Sequence, residues 1–357
     1  MASSFFRNRW IVPLVMVAAA ITYVWVRSRP PRPLGEAYVS ERVVTLWSST
    51  AEVRAPAGIV HYGDRVTVLA RSGTVSEVRT LTGATGWLDS VELMDPDLWE
   101  QSVELLKKAQ AMPVQATGHT KTLTNLHVLP GRDEAHIFQF SRDVPVVVLS
   151  RATAPGAPPP AGSSPAQSSG GSDDQKPKAE DWLLVMRSVT AQETSGENGV
   201  AANAGASEGM RAGAPIVVAG WVLARFIEFD TPGPVHDYAL SSDFRVVAWV
   251  ELNRVLTDSG DMPQYLVAGT RGPEGEACDF SLLRVYTWSE RRKQYETAFV
   301  GSDLCGKLPL LVSQVPDGTE FRFAQADSSG ERIYVMHQSV VRRVRADETS
   351  MTGLRHN

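Results

Sequence analysis

Two stretches of this 357-residue chain repeat the same short blocks in the same order, and a duplicated small β module leaves few folds open. Val66-Thr67-Val68-Leu69-Ala70-Arg71 matches Val146-Val147-Val148-Leu149-Ser150-Arg151. Both are β-branched runs of strand type, each behind a turn segment, Tyr62-Gly63-Asp64 or Ser141-Arg142-Asp143. Gly83-Ala84-Thr85-Gly86-Trp87-Leu88 matches Val218-Ala219-Gly220-Trp221-Val222, and an apolar residue, Leu93 or Ile227, follows each tryptophan by six positions. Upstream, Val53-Arg54-Ala55-Pro56 is set against Leu126-His127-Val128-Leu129-Pro130. The second copy is longer: Arg71 and Gly86 lie 15 positions apart, Arg151 and Gly220 69. Residues 154–180 (with Pro155, Pro158, Pro159, Pro160 and Pro165) and 190–214 are too poor in large apolar side chains to order themselves. They are expected to be disordered insertions, and Asp181-Trp182-Leu183-Leu184-Val185-Met186 between them reads as a buried strand. Loop closure costs grow slowly with length, so such insertions are tolerable.

The Gly-Trp pair has a physical logic of its own. Gly86 and Gly220 let the backbone turn into a last strand, and Trp87 and Trp221 are expected to pack as structural, core-covering indoles. Trp47 and Tyr62, which flank turns, and Trp182 are the candidate binding aromatics.

In order, these blocks resemble the bacterial SH3 (SH3b) family, whose pattern runs Asn-Val-Arg-x-x-Pro, Gly-x-x-Val-x-Val-Leu, Trp-x-x-Val, Gly-x-x-Gly-Trp-Val and a closing Leu. Copy two carries Asn125-Leu126-His127 with Pro130, Val146-x-Val148-Leu149, Trp182-x-x-Val185, Gly220-Trp221-Val222 and Ile227. Copy one carries Val53-Arg54 with Pro56, Gly63-x-x-Val66-x-Val68-Leu69, Val78, Gly83-x-x-Gly86-Trp87-Leu88 and Leu93. Copy one has Val75 or a neighbour where the family's mid-barrel tryptophan sits, and copy two has His127 in place of arginine. The resemblance covers roughly half the chain. It implies two SH3-like small barrels, 41–94 and 117–229, that bind cell-wall peptidoglycan or a protein partner.

Between the copies, residues 95–113 predict a short linker helix: Asp95 caps, Pro96 takes the first position, Leu98, Trp99, Val103, Leu106, Ala109 and Met112 recur at helical spacing, and Pro113 ends it. Residues 243–346 predict a different unit. Phe244–Leu252, Gln264–Thr270, Leu282–Trp288, Gln294–Val300, Thr319–Gln325, Arg332–His337 and Val340–Val344 read as strands separated by turn signals. Close spacing predicts an antiparallel meander closed as a sandwich or small barrel. The hairpin around Arg284–Trp288 and Gln294–Ala298 is similar to one propeller blade edge, but a single such unit makes no propeller. The fold class expected is mainly β.

Trp10 to Val26 carries no charge, between Arg7 and Arg9 on one side and Arg27, Arg29 and Arg32 on the other. As a helix it reaches roughly 25 Å, the short end of a bilayer span. Trp10, Tyr23 and Trp25 near its ends suit interfacial aromatics. A cleaved signal peptide ending at Ala18-Ala19-Ala20 is the rival, but Ile21–Val26 would then start the mature chain with exposed apolar residues. The expectation is a tail (1–9), a single-pass anchor (10–26), a Pro/Arg-rich stalk (27–40), a body on the extracytoplasmic, periplasmic side, and a C-terminal tail (347–357). Flanking charges do not orient it; long soluble domains translocate largely regardless of them.

Hydrophobic residues at 43% and charged residues at 21% fit a folded body, and a net charge of −5 provides no basic field for nucleic acid. Arg291-Arg292-Lys293 and Arg342-Arg343-x-Arg345 read as solvated clusters. The two cysteines, Cys278 and Cys305, form a disulfide in an exported body or remain two buried thiols. SH3b modules accompany cell-wall peptidases of the NlpC/P60 type, whose nucleophile is a cysteine paired with histidine. Cys278 and His337 are the available pair, a remote thiol-hydrolase alternative, because Ala277-Cys278-Asp279-Phe280 leads into a strand and the usual Asp-Cys-Ser-Gly helix start is absent. His119 and His127 are eight apart, His61 and His136 isolated, and Asp258, Asp261 and Glu274 read as solvated turns, so no metal is expected. No phosphate loop and no Gly-x-Ser-x-Gly elbow occurs, so no cofactor is expected either. The function expected is a non-enzymatic envelope protein that binds through its SH3b modules. The alternatives are a scaffold acting through the C-terminal β domain and, last, self-binding of the Pro155–Pro165 segment in an SH3 groove.

Overall fold

The computed structural model describes residues 32–156, 178–189, 216–241, 244–258, 260–327 and 330–344. The anchor at 10–26, most of both insertions and the tail at 347–357 lie outside the described residues. Among the described residues no helix is long and apolar enough to cross a membrane. The chain is mainly β, in antiparallel sheets, and divides into two compact units, the first ending at Leu93.

The first unit contains β1 (Gly35–Val39), β2 (Val43–Trp47), β3 (Pro56–His61), β4 (Arg65–Ser72), β5 (Val75–Thr80) and β6 (Thr85–Asp89), then a 3-10 turn, Ser90–Glu92, and β7 (Leu93–Met94). Its seven-stranded sheet has the order β3-β2-β6-β5-β4-β1-β7. Alternation sets its inner face: Val44, Leu46, Val66, Val68, Val78 and Leu88 are buried together, and the residues between them are not.

The second unit opens with helix α1 (Pro96–Gln110), where the Asp95 side chain accepts from the Leu98 N–H at 2.7 Å. It continues with β8 (Ala116–Thr120), β9 (Thr124–His127), β10 (His136–Phe140), β11 (Pro145–Pro155), β12 (Ala179–Val189), β13 (Ile216–Leu223), a 3-10 turn, Ala224–Phe226, and β14 (Ile227–Phe229). This sheet has the order β10-β9-β13-β12-β11-β8-β14, the first unit's order strand for strand.

Register matches as well as order. Val68 pairs with Val78 and Val78 with Gly86; Val148 pairs with Val185 and Val185 with Gly220. Ser72 pairs with Val75 where Ala152 pairs with Trp182, so Val75 holds the register of Trp182. A register shift follows Val68 and Val148 alike. One sequence pairing is corrected. Leu126-His127 lies in β9 and answers to Leu46-Trp47 in β2, not to Val53-Arg54, which lies in the loop beyond β2. Both stretches end on a proline, Pro56 or Pro130, which makes them alike in sequence although only one of them is a strand beside Trp221 or Trp87.

The two outer faces differ. In copy two, Val147, Leu149, Leu184, Met186, Ala219 and Trp221 pack under Leu105, Leu106 and Ala109 of α1 and the following Met112. At matched register copy one has Thr67, Leu69, Glu77, Arg79, Thr85 and Trp87. Helix burial therefore follows apolar side chains supplied by one copy alone.

After helix α2 (Gly233–Ser241) come two four-stranded meanders. The first is β15 (Arg245–Thr257), β16 (Gly260–Thr270), β17 (Leu282–Ser289) and β18 (Gln294–Gly301); the second is β19 (Gly306–Val315), β20 (Gly318–Gln325), β21 (Glu331–His337) and β22 (Val340–Val344). One buried cluster, including Leu252, Leu266, Phe280, Leu283, Leu310, Phe321 and Met336, draws on both. Strand β19 is not among the strands expected from the sequence; it carries Pro309, and its ladder shifts register between Lys307 and Leu311.

Copy two and these meanders belong to the same compact unit, joined through buried polar groups. Arg151, 4% exposed, donates to Asp279 at 2.9 Å, to Asp181 at 2.5 Å, and to the carbonyls of Cys278 and Glu276. Asp279 also accepts from Lys307 and from the Leu308 N–H, and Asp181 from the Gly275 N–H. Asp181 and Asp279 hold the Arg151 pKa above its ordinary value although burial works against the charge. Cys278 is bonded to Cys305, which fixes the loop presenting Asp279. Nearby, the Gln115 side chain donates to the Leu310 carbonyl and accepts from the Leu310 N–H.

Candidate binding site

Each glycine of a Gly-Trp pair sits on the inner face and each tryptophan on the outer. A Cβ on Gly86 would come within 2.8 Å of Leu46 Cβ, and one on Gly220 within 2.7 Å of Leu126 Cβ. Strand alternation then turns Trp87 and Trp221 outward, where both are only half-buried. Trp221 packs against two buried clusters from this outer face, and among the described residues no core cluster includes Trp87. Trp221 packs at the rim of the α1-covered face, and Trp87 pairs across the sheet with Trp47.

The fully buried indole is Trp182, at 1% exposure. It sits on β12 against Ala154 and Leu223, with the His127 ring edge-on at 5.3 Å. Its indole N–H has no hydrogen-bond partner. Trp47, by contrast, is half-buried in the first unit under the Arg54 guanidinium, 4.4 Å from the ring centroid. Tyr62 is half-buried in the turn after β3.

Trp182 lines a cleft of about 310 Å³ together with Leu123, Thr124, Asn125, His127, Arg132, Gln139, Leu223 and Phe226. Strands β9, β10 and β12 and the 3-10 turn Ala224–Phe226 supply most of these groups. His127 Nδ1 donates to the Glu134 carbonyl at 2.7 Å, so Nε2 is the ring's acceptor when neutral. Gln139 donates to the Asn125 side chain at 2.8 Å. Arg132 makes a two-pronged pair with Glu180, both contacts at 2.7 Å, and Arg225 donates to the same carboxylate at 2.9 Å while its guanidinium lies over Phe226. Arg132 first, then Arg225, hold the Glu180 pKa below its ordinary value against partial burial. His136, the cross-strand partner of His127, has its pKa lowered, by burial first and by His127 second.

Of the aromatics singled out in the sequence, only Trp182 belongs to this cleft. Arg132 and Gln139, which line the cleft, and Glu180 and Arg225, joined to Arg132 by ion pairs, are not among the sequence candidates, and Asn125 enters there only as part of a block. Glu180 falls in the segment assigned to the first insertion, and its pairs with Arg132 and Arg225 join residues 48 and 45 positions apart. The cleft offers aromatic walls, the Arg132 guanidinium and the amides of Asn125 and Gln139.

Elsewhere, the Cys278–Cys305 disulfide leaves no thiol for a Cys278–His337 pair. His337 Nδ1 donates to the Asp317 carbonyl at 3.0 Å. Among the described residues no group of three or more His, Cys, Asp or Glu could hold a metal ion. Asp261 pairs with Arg254 and Glu274 with Arg245.

No protein-family model matches the sequence. No curated protein matches it. Among solved structures, the chain is similar at 11% identity and a TM-score of 0.20 to an NlpC/P60 family protein from Bacillus cereus, over 87% of this chain and 99% of that one. It is similar at 8% identity and a TM-score of 0.16 to NlpC2 from Trichomonas vaginalis, over 89% of this chain and 100% of that one. Likeness at that level assigns this chain neither a fold nor an activity.

Proposed function

We propose that this is a non-enzymatic, single-pass membrane-anchored envelope protein with two SH3b-like small barrels, and that the second barrel binds cell-wall peptidoglycan or an envelope protein outside the membrane. The supporting observation is the aromatic and polar cleft around Trp182, built on a sheet that repeats the first unit strand for strand. Of the blocks that resemble SH3b, the Val-x-Val-Leu and Gly-Trp blocks lie on matched strands in both copies, while Val53-Arg54 of copy one lies in the loop beyond β2. Extracytoplasmic placement suits the Cys278–Cys305 disulfide. The full chain in mild detergent should pellet with purified peptidoglycan above a control protein, and a cysteine engineered near residue 170 should react with an impermeant reagent in intact cells. Recovery of the wild-type chain in the supernatant would remove the wall as ligand, and labelling only after lysis would remove the exported placement.

A second reading, a scaffold acting through the C-terminal sheets, is favoured by one feature. Tyr265, Trp288 and Tyr295 gather on β16–β18 with ring centroids 5.4 and 6.2 Å apart, and Tyr265 and Trp288 are half-exposed. On this reading Tyr265→Ala with Trp288→Ala abolishes co-purification of neighbouring proteins and leaves wall binding unchanged.

A further inference from the structure

The duplication supplies an internal comparison that bears on what the cleft takes. Trp47 and His127 pair with Pro56 and His136 across loops of equal length, so Arg132 answers to Glu52 of copy one. Trp87 and Trp221 are matched by register, so Leu223, Arg225 and Phe226 answer to Asp89, Val91 and Glu92. Trp182 answers to Val75, and Glu180 lies in the strand extension that copy one lacks, since its hairpin turns just past Ser72. One architecture thus carries an arginine pair and aromatic walls in copy two and acidic residues in copy one. The shared strand order forms without Arg132 and Arg225; in copy two both pair with Glu180, which stands in the added strand extension.

Their geometry does suggest a use. Glu180 receives two N–H groups from Arg132 and one from Arg225, which holds both guanidiniums beside one carboxylate. Each guanidinium has five N–H donors, so most remain unused. Leu223, Phe226 and Trp182 supply an apolar wall to the cleft that Arg132 lines.

Resting on the reading of this cleft as the binding site, we propose that it recognises a free carboxylate next to a planar or apolar group. The carboxylate meets Arg132, which lines the cleft and which Glu180 ties to Arg225, and the flat part lies toward Trp182 and Phe226. Glu180 occupies the Nε–Nη2 edge of Arg132, so the incoming carboxylate meets the remaining Nη1 and Nη2 N–H groups.

The test uses the full-length chain in mild detergent with benzoylglycine, its C-terminal amide and phenyl phosphate as probes, read by calorimetry. Benzoylglycine is expected to bind at least ~10-fold more tightly than the amide, about the loss that one charged hydrogen-bonding pair accounts for. Arg132→Gln with Arg225→Gln should weaken it ~10-fold or more while the circular dichroism spectrum and unfolding midpoint stay near wild type. Arg132→Gln alone, which keeps one guanidinium on Glu180, should give an intermediate loss and serves if the double variant does not fold. Equal binding of acid and amide, no binding of either, tighter binding of phenyl phosphate, or arginine variants that bind like wild type would each overturn the proposal. The outcome is separable from that of wall binding. Variants that lose benzoylglycine yet still pellet with peptidoglycan locate wall binding elsewhere and overturn the cleft as the wall's ligand site. Wild type that binds benzoylglycine and not peptidoglycan leaves the carboxylate site standing and removes the wall.

Discussion

At the scale of single residues, the two Gly-Trp pairs show how strand alternation overrides a residue's size. Trp87 and Trp221 are large enough to fill a core, yet the glycine before each claims the inner face, and the indole must point out. Trp182 reaches the interior because the strand carrying it is covered on both sides. His136 makes a prediction at this scale. Its folded-state pKa is depressed, so between that value and about 6.5 the unfolded chain binds more protons than the folded one. Stability is therefore fully present above the unfolded pKa and is lost as pH falls through the folded pKa. Urea midpoints at pH 7.5 and 5.5 should drop more steeply for wild type than for His136→Gln; parallel slopes would remove the role given to His136.

At the scale of elements, register is the informative quantity. Helix α1 lies on the copy-two sheet because Val147, Leu184, Met186 and Ala219 are apolar where copy one has Thr67, Glu77, Arg79 and Thr85. Exchanging the residue types tests that cause. Leu184→Glu places an unpaired carboxylate under the helix and should cost about 3 kcal/mol or more, whereas Glu77→Leu, on a half-exposed face, should change stability by about 0.5 kcal/mol or less. Chemical denaturation of both variants checks this; similar losses in the two would show that burial on these faces does not follow side-chain polarity. The helix itself was legible from Asp95, Pro96 and its apolar spacing, since capping and periodicity are local. Strand β19 was not, since a proline inside a strand is tolerated only through a local register shift that neighbouring strands decide.

At the scale of the molecule, the second unit is held by charges that would be unstable apart. Arg151, Asp181 and Asp279 are almost fully buried and come from positions far apart in the chain. Arg151→Met leaves two carboxylates without their shared guanidinium and should cost about 3–5 kcal/mol. A urea midpoint unchanged in that variant would mean the cluster contributes no net stability. Because Asp279 follows Cys278 directly, the disulfide and the ion cluster constrain the same loop. The sequence expectation of separate modules at 117–229 and 243–346 thus meets a molecule in which the copy-two hairpin and the C-terminal sheets share buried groups.

The sequence by itself determined the mainly β class, the duplicated strand blocks, the insertion-bearing longer copy and the capped helix between them, because periodicity, turn chemistry and capping act over a few residues. Tertiary structure alone decided what each matched position does. Arg71 and Arg151 occupy the same register on equivalent strands, yet Arg71 is exposed and Arg151 is buried between two aspartates. Only the extended hairpin of copy two, meeting the loop held by Cys278, brings those carboxylates to it. The cleft follows the same rule: Arg132, Glu180 and Arg225 are remote in sequence, and their shared charge exists only where three elements converge.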